Sequence, residues 1–231
     1  MGTNGLAAHS CAGEEVTVKK ASIVLLAAFL LAGFAIARQR HHAGSTPGAF
    51  DYYLLNLSWA PAFCANNSRN ASSECDPAHH FGFVVHGLWP ENNDGSYPQN
   101  CGTASPVSNS IVQHMLTIMP SRTLIQHEWA KHGTCTGLSA QDYFKQIETA
   151  FQKVQVPPEY RNPTNPVSAS PSEIEQKFAA ANHAPAGAFR VVCSKTDLDV
   201  EACMTKDLQF QQCGSGLRDC SARQVTLPPV P

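Results

Sequence analysis

The chain has 231 residues, 43% hydrophobic and only 15% charged, which excludes a disordered, collagen-like or coiled-coil chain. Sixteen Lys+Arg against eighteen Asp+Glu give a formal net charge of −2. No global field holds a polyanion, so any nucleic acid is handled at a local site rather than coated. Nine cysteines without a Cys-x-x-Cys pair argue against a zinc ribbon or a thioredoxin-like motif and point to disulfides in an oxidising compartment.

Lys19 and Lys20 precede an apolar run over residues 21–37 that ends Ala35-Ile36-Ala37. This pattern reads as a secretory signal cleaved after Ala37. The alternative is an uncleaved membrane anchor, for which the run sits at the short limit. The first 17 residues are polar and unpatterned, which fits a translation start near Val16 or Val18. Cleavage removes Cys11 and leaves eight cysteines, the even number a closed disulfide framework needs.

Residues 38–49 form a polar, flexible leader before a domain over 50–231. Residues 51–59 (DYYLLNLSW) read as a buried strand. Residues 64–80 read as a loop. Residues 81–86 (FGFVVH) read as a central strand that stops at Gly87, with Pro90 forbidding extension. Residues 91–106 are a long turn-rich loop of the kind that often carries function. Helices are predicted over 110–119, ended by Pro120, and over 124–132, ended by Gly133. Another opens with the capping box Ser139-x-x-Asp142 and stops at Pro157-Pro158. A further start lies at Ser170-Pro171-Ser172-Glu173. Strands follow over 189–192 and 198–204, with one more from Val225. The elements do not alternate as βαβ units, so the fold class is α+β.

Two segments carry chemistry. In FVVHGLWP (residues 83–90), His86 ends an apolar strand, at a rim rather than in a core. Taken alone, it reads as a hydrogen-bonded structural histidine. In QHEWAKHGTC (residues 126–135), His127 and Lys131 align one helical turn apart, as do Glu128 and His132. The four are expected on one broad face, with Trp129 and Ala130 toward the body. A zincin needs His-Glu-x-x-His, but Lys131 holds the fourth position and repels a metal, so no metal site is expected.

Metal-free cleavage of RNA needs a base for the 2′-OH, an acid for the leaving 5′-oxygen, and cations at the phosphate. Two histidines, a lysine and a glutamate supply these parts. DNA lacks the internal nucleophile and is expected to be inert.

Together, HGLWP and HEWAKHGTC resemble the two active-site segments of the ribonuclease T2 family. Ser58-Trp59-x-Pro61 with Cys64, and DGSYP (residues 94–98) with Cys101, extend the resemblance over most of residues 50–220. The resemblance implies a mainly antiparallel central sheet with packed helices, stapled by disulfides. It implies His132 as general base, His86 as general acid, His127 as phosphate binder, and Glu128 and Lys131 as transition-state stabilisers. The expected products are a 2′,3′-cyclic phosphate, then a 3′-phosphate. Trp89 and Tyr97 match positions that sandwich a base, and Glu91 matches one that reads its edge, with Glu here where Asp is usual. Leu124-Ile125-Gln126 replaces an aromatic-rich lead-in, so a second base site containing Leu124 is expected to be weaker or differently shaped. The implied disulfides are Cys64–Cys75, Cys101–Cys135, Cys193–Cys220 and Cys203–Cys213. The second ties the base-pocket loop to the end of the catalytic helix.

The expected protein is a secreted or periplasmic, monomeric endoribonuclease of low base specificity. It acts on single-stranded RNA and uses no cofactor or metal. It touches a membrane only if the N-terminal segment is retained. A non-catalytic RNA-binding or storage protein on the same scaffold is the alternative, but such a protein is expected to lack a catalytic residue, and none is missing. Asn56, Asn66 and Asn70 match the glycosylation sequon, Asn56 by chance because its strand is expected to be buried.

Overall fold

The computed structural model describes residues 46–67, 73–194 and 197–231. The signal segment, most of the leader, and Asn70 lie outside them. Strand β1 (Tyr52–Trp59) runs into a short helix α1 (Ala60–Asn66), so the stretch expected as loop begins as helix. Strand β2 is Phe83–Glu91. Helices α2 (Asn109–Met115), α3 (Arg122–Lys131) and α4 (Ala140–Lys153) follow. Next come the single turn α5 (Pro158–Arg161), strand β3 (Val167–Ala169) and helix α6 (Pro171–Ala181). Strands β4 (Phe189–Cys193), β5 (Leu198–Met204) and β6 (Val225–Leu227) complete the chain.

The main sheet is antiparallel in the order β2-β1-β5-β4, and β3 pairs with β6 in a small second sheet. The α+β class and the antiparallel sheet are as the sequence implied. Serines start the helices. Ser121, Ser139 and Ser170 each accept a hydrogen bond from the backbone N–H three residues on, which satisfies a donor the helix itself leaves open.

Strand β2 differs from its expectation. It continues through Gly87 and Pro90 to Glu91, and it is an edge strand rather than a central one. An edge strand needs no inward N–H on its free side, so a proline is accommodated there. The pairing with β1 also slips. Asn56 faces Gly87 but Leu57 faces Val85, which leaves His86 as an extra residue in a β-bulge.

The bulge resets the alternation of β2. Val85 and Leu88 both reach the core, where Leu55, Leu57, Trp59, Val200 and Ala202 line the helix-covered face. Tyr143, Phe144 and Ile147 of α4, and Ile174 and Phe178 of α6, pack against that face. A small apolar cluster of Tyr52, Leu54 and Cys203 occupies the opposite face, covered by Trp89, Cys213 and Leu217. Four disulfides join Cys64 to Cys75, Cys101 to Cys135, Cys193 to Cys220 and Cys203 to Cys213. Among the described residues, no helix is long and apolar enough to cross a membrane.

Candidate active site

The bulge on β2 and the end of α3 meet at one point. Glu128, 1% exposed, is its hub. Its Oε2 accepts a 2.7 Å hydrogen bond from Trp89 Nε1, and its Oε1 lies 3.6 Å from His86 Nε2. The Trp89 ring lies over the His132 ring at 5.2 Å and 24°, and meets the His86 ring edge-on at 5.5 Å. Tyr97, 40% exposed, sits 6.0 Å from His132. The two histidines come from segments far apart in the chain and share one indole, with the Glu128 carboxyl beside His86.

Gly87 makes this approach possible. A Cβ there would stand 2.2 Å from Glu128 Oε2 and 2.4 Å from Trp89 Nε1, inside any permitted contact. The glycine of HGLWP is therefore the gap through which the carboxyl and the indole meet. The loop bearing Tyr97 is tied to the end of α3 by the Cys101–Cys135 bridge. Asn100 N–H donating to the Lys131 carbonyl at 2.8 Å adds to that tie.

The face of α3 is not shared as expected. Ile125 and Glu128 turn inward, and His132, capping the helix, is 2% exposed. His127 is exposed and Lys131 half-buried. Trp129 packs half-buried against the core and donates its indole N–H to the Ser105 carbonyl. The reason is a partner: Glu128 finds the Trp89 N–H inside, and a hydrogen-bonded carboxyl can be buried where an unpaired one cannot.

Burial, first, and then the cations Lys131 and His127 depress His132 to about 3. The same causes, burial leading, lower His86. Burial raises Glu128 to about 7, against the Trp89 hydrogen bond and Lys131. At neutral pH the resting site thus holds two neutral imidazoles beside a carboxyl near its own midpoint. A phosphate anion arriving beside His86 favours its protonated form, while His132, the more strongly depressed, stays neutral.

A cleft of about 470 Å³ opens beside His86, lined by Ser58, Glu74, Val84, Leu124, His127 and Asp199 among others. Leu124 is thus brought to the site. Glu91 is not: it is 4% exposed, burial raises its carboxyl to about 8, and the charges acting on it are those of Glu201 and Arg190. Among the described residues, no three His, Cys, Asp or Glu side chains converge as ligands for a metal ion.

The sequence reading did not single out Asn56, Ser58 and Asp199 as site residues, although Ser58 touches His86 and Asn56 ties Ser58 to Asp199. Their signal was available: Asn56 and Ser58 in β1, and Asp199 and Glu201 in β5, are polar pairs two residues apart in otherwise apolar strands, and so share a face.

A family model for the ribonuclease T2 family matches residues 50–213. A ribonuclease of Aeromonas hydrophila is 39% identical over 138 residues, covering 60% of this chain and 60% of that protein. A probable ribonuclease of Haemophilus influenzae is 32% identical over 142 residues, covering 55% of this chain and 52% of its own length. The matched part therefore spans less than two thirds of either relative. Among solved structures, an RNase-related protein from Calystegia sepium superposes with a TM-score of 0.63 at 26% identity, over 79% of this chain and 98% of its own. Trichomaglin, described as an S-like ribonuclease, superposes at 0.61 with 22% identity, over 79% and 99%, and speaks to the fold alone.

Proposed function

The chain belongs to the ribonuclease T2 family, and on that premise we propose that it is an endoribonuclease that cleaves single-stranded RNA without a metal ion. The observation that carries this reading is the meeting of His86 and His132, from two separate elements, around Glu128 and Trp89, with His127 and Lys131 alongside. His132 takes the proton of the 2′-OH as its oxygen bonds to phosphorus. His86 gives a proton to the 5′-oxygen as the P–O5′ bond breaks. The products are a 2′,3′-cyclic phosphate and a free 5′-OH. In the second step water takes the place of the 5′-OH, the two histidines exchange roles, and a 3′-phosphate remains.

His127 and Lys131 supply positive charge to the phosphate, and Glu128 hydrogen-bonds the phosphorane or orients His86. Trp89 covers His132 in the resting geometry. Tyr97 also lies against His132, so a nucleobase held between Trp89 and Tyr97 is brought to the general base while Trp89 keeps its bond to Glu128. The cleft beside His86, with Leu124 in its wall, receives the nucleoside on the leaving side. DNA, without a 2′-OH, is not cut. Four disulfides support a secreted or periplasmic destination. Residues 1–37 are then the targeting segment or anchor and 50–231 a single catalytic domain, acting as a monomer.

The test is end-group analysis of RNA cut by the purified protein in EDTA. Cyclic phosphate ends are expected, and His86→Ala or His132→Ala is expected to lower the rate by about 10²–10⁴-fold each. Products with 5′-phosphates, or full inhibition by the chelator, would overturn the reading.

A further inference from the structure

His86 has two ring nitrogens, and only one faces Glu128. The other, Nδ1, lies 3.4 Å from Ser58 Oγ on the neighbouring strand. The bulge makes this contact, because it turns both His86 and Gly87 to the face that carries Asn56 and Ser58. Ser58 is itself backed by acceptors. Its hydroxyl donates to Asn56 Oδ1 at 3.5 Å, and the Asp199 carboxyl in turn accepts from Asn56. Asn56 is 1% exposed, and its Nδ2 donates to Asp199 Oδ2 at 3.2 Å and to Glu201 Oε1 at 3.4 Å. With both amide hydrogens committed to carboxylates, Asn56 Oδ1 is fixed toward Ser58.

A hydroxyl has one hydrogen and two lone pairs. Here its hydrogen has only acceptors on the Asn56 and Asp199 side. What Ser58 presents to His86 is therefore a lone pair, and a lone pair calls for an N–H at Nδ1. We propose that Ser58, oriented by Asn56 and Asp199, is a positioning residue that holds His86 in the Nδ1–H tautomer, so that Nε2 is the nitrogen that gains and delivers the catalytic proton. The inference rests on the reading of His86 as the general acid. The hydrogen bond to the far nitrogen also steadies the imidazolium once Nε2 is protonated, and fixes the plane of the ring. After transfer, His86 is neutral and keeps its Nδ1 proton. The charged and titratable groups around the ring are Glu128, His127 and Lys131 from α3, His132 at its end, Asp197 just before β5, Asp199 on β5, and Glu74 across the cleft.

The test uses the full chain, with Ser58→Ala and Ser58→Thr, on two substrates. One is a dinucleoside phosphate, whose leaving alkoxide must be protonated. The other is a nucleoside 3′-(4-nitrophenyl phosphate), whose leaving phenolate need not be. Ser58→Ala is expected to lower kcat on the dinucleoside phosphate by about 10–100-fold with KM unchanged, and to spare the nitrophenyl ester. Ser58→Thr, which keeps the hydroxyl, restores the rate. The ¹⁵N shifts of His86 at neutral pH are expected to report Nδ1–H in the parent and a tautomer mixture in Ser58→Ala. An unchanged kcat and tautomer, or an effect on KM alone, overturns the inference. His86→Ala keeps the two readings apart: if it slows both substrates equally, it is the role of His86 as acid that fails.

Discussion

The two faces of the four-stranded sheet are built on opposite rules. The helix-covered face is dry and apolar: Leu55, Leu57, Val85, Val191, Val200 and Ala202 meet Phe144, Ile147 and Phe178. The other face buries Asn56, Glu91, Arg190 and Glu201 beside only a small apolar cluster. On it, Arg190 pairs with Glu201 at 3.2 Å and with the exposed Asp219 at 3.2 Å, and Asn56 links Glu201 to Asp199. The first face supplies stability through area removed from water. The second holds polar groups in fixed directions, and His86 stands at the end of its hydrogen-bonded row. One strand pair thus serves both ends, because alternate residues of β1 face opposite sides.

The largest expected effect separates the faces by charge. Phe144→Ala on the apolar side is expected to cost about 3–5 kcal/mol at any pH from 5 to 8.5. Arg190→Met on the polar side removes the cation facing Glu201 and Glu91. Breaking a buried pair costs about 3–5 kcal/mol while the abandoned group stays charged. Burial raises Glu201 to about 7 and Glu91 to about 8, so at pH 5 both are protonated and the cost shrinks. Urea unfolding at pH 5 and pH 8.5 checks this. Equal losses for Arg190→Met at both values would mean the two faces obey one rule.

Next comes Gly87→Ala, at the point where the polar face meets α3. The new Cβ collides with Glu128 Oε2 and Trp89 Nε1 and must part them. Misplacing catalytic groups by about an ångström can cost on the order of 10²-fold, so kcat/KM on a dinucleoside phosphate is expected to fall by about 10–100-fold. Circular dichroism is expected to show the same fold. A fully active variant would mean that the Trp89–Glu128 bond does not position the site.

How much of this was legible follows the same division. HEWAKHGTC puts His127, Glu128, Lys131 and His132 on the page because their residue types crowd locally, whereas His86, which alone reads as a structural histidine, enters through the resemblance carried by HGLWP. The capping serines and the apolar stripe of α4 were legible locally too. The end of β2 was misread because the rule against proline applies to central strands, and nothing local says which strand lies at an edge. The bulge at His86 was invisible, since register belongs to a pair of strands and not to one. Asn56 was read only as a chance sequon because its partners, Asp199 and Glu201, lie 143 and 145 residues away. Glu91 matched a motif position, yet the charges that act on it, Glu201 and Arg190, stand on β5 and β4, which the motif does not contain.

The smallest expected effect tests the polar face in the unaltered protein. Glu128 and Glu201, raised to about 7, and Glu91, raised to about 8, hold protons in the native state that an unfolded chain releases near its ordinary carboxyl range. The native state then binds more protons than the unfolded one, so stability falls as pH rises through these values. His86 and His132 act in the opposite sense, being depressed in the native state, but their contribution is complete about one unit above the unfolded value of about 6.5. On the apolar face, Tyr53 is raised to about 12 and Tyr143 well above its ordinary value, so neither titrates in this range. Between pH 6.5 and 8.5 the three carboxyls therefore outweigh the residual histidine contribution, and Tm is expected to fall by about 2–6 °C. A flat Tm in calorimetry over that interval would mean the three carboxyls are already ionised and hydrated, and the polar face would then be no drier than the protein surface.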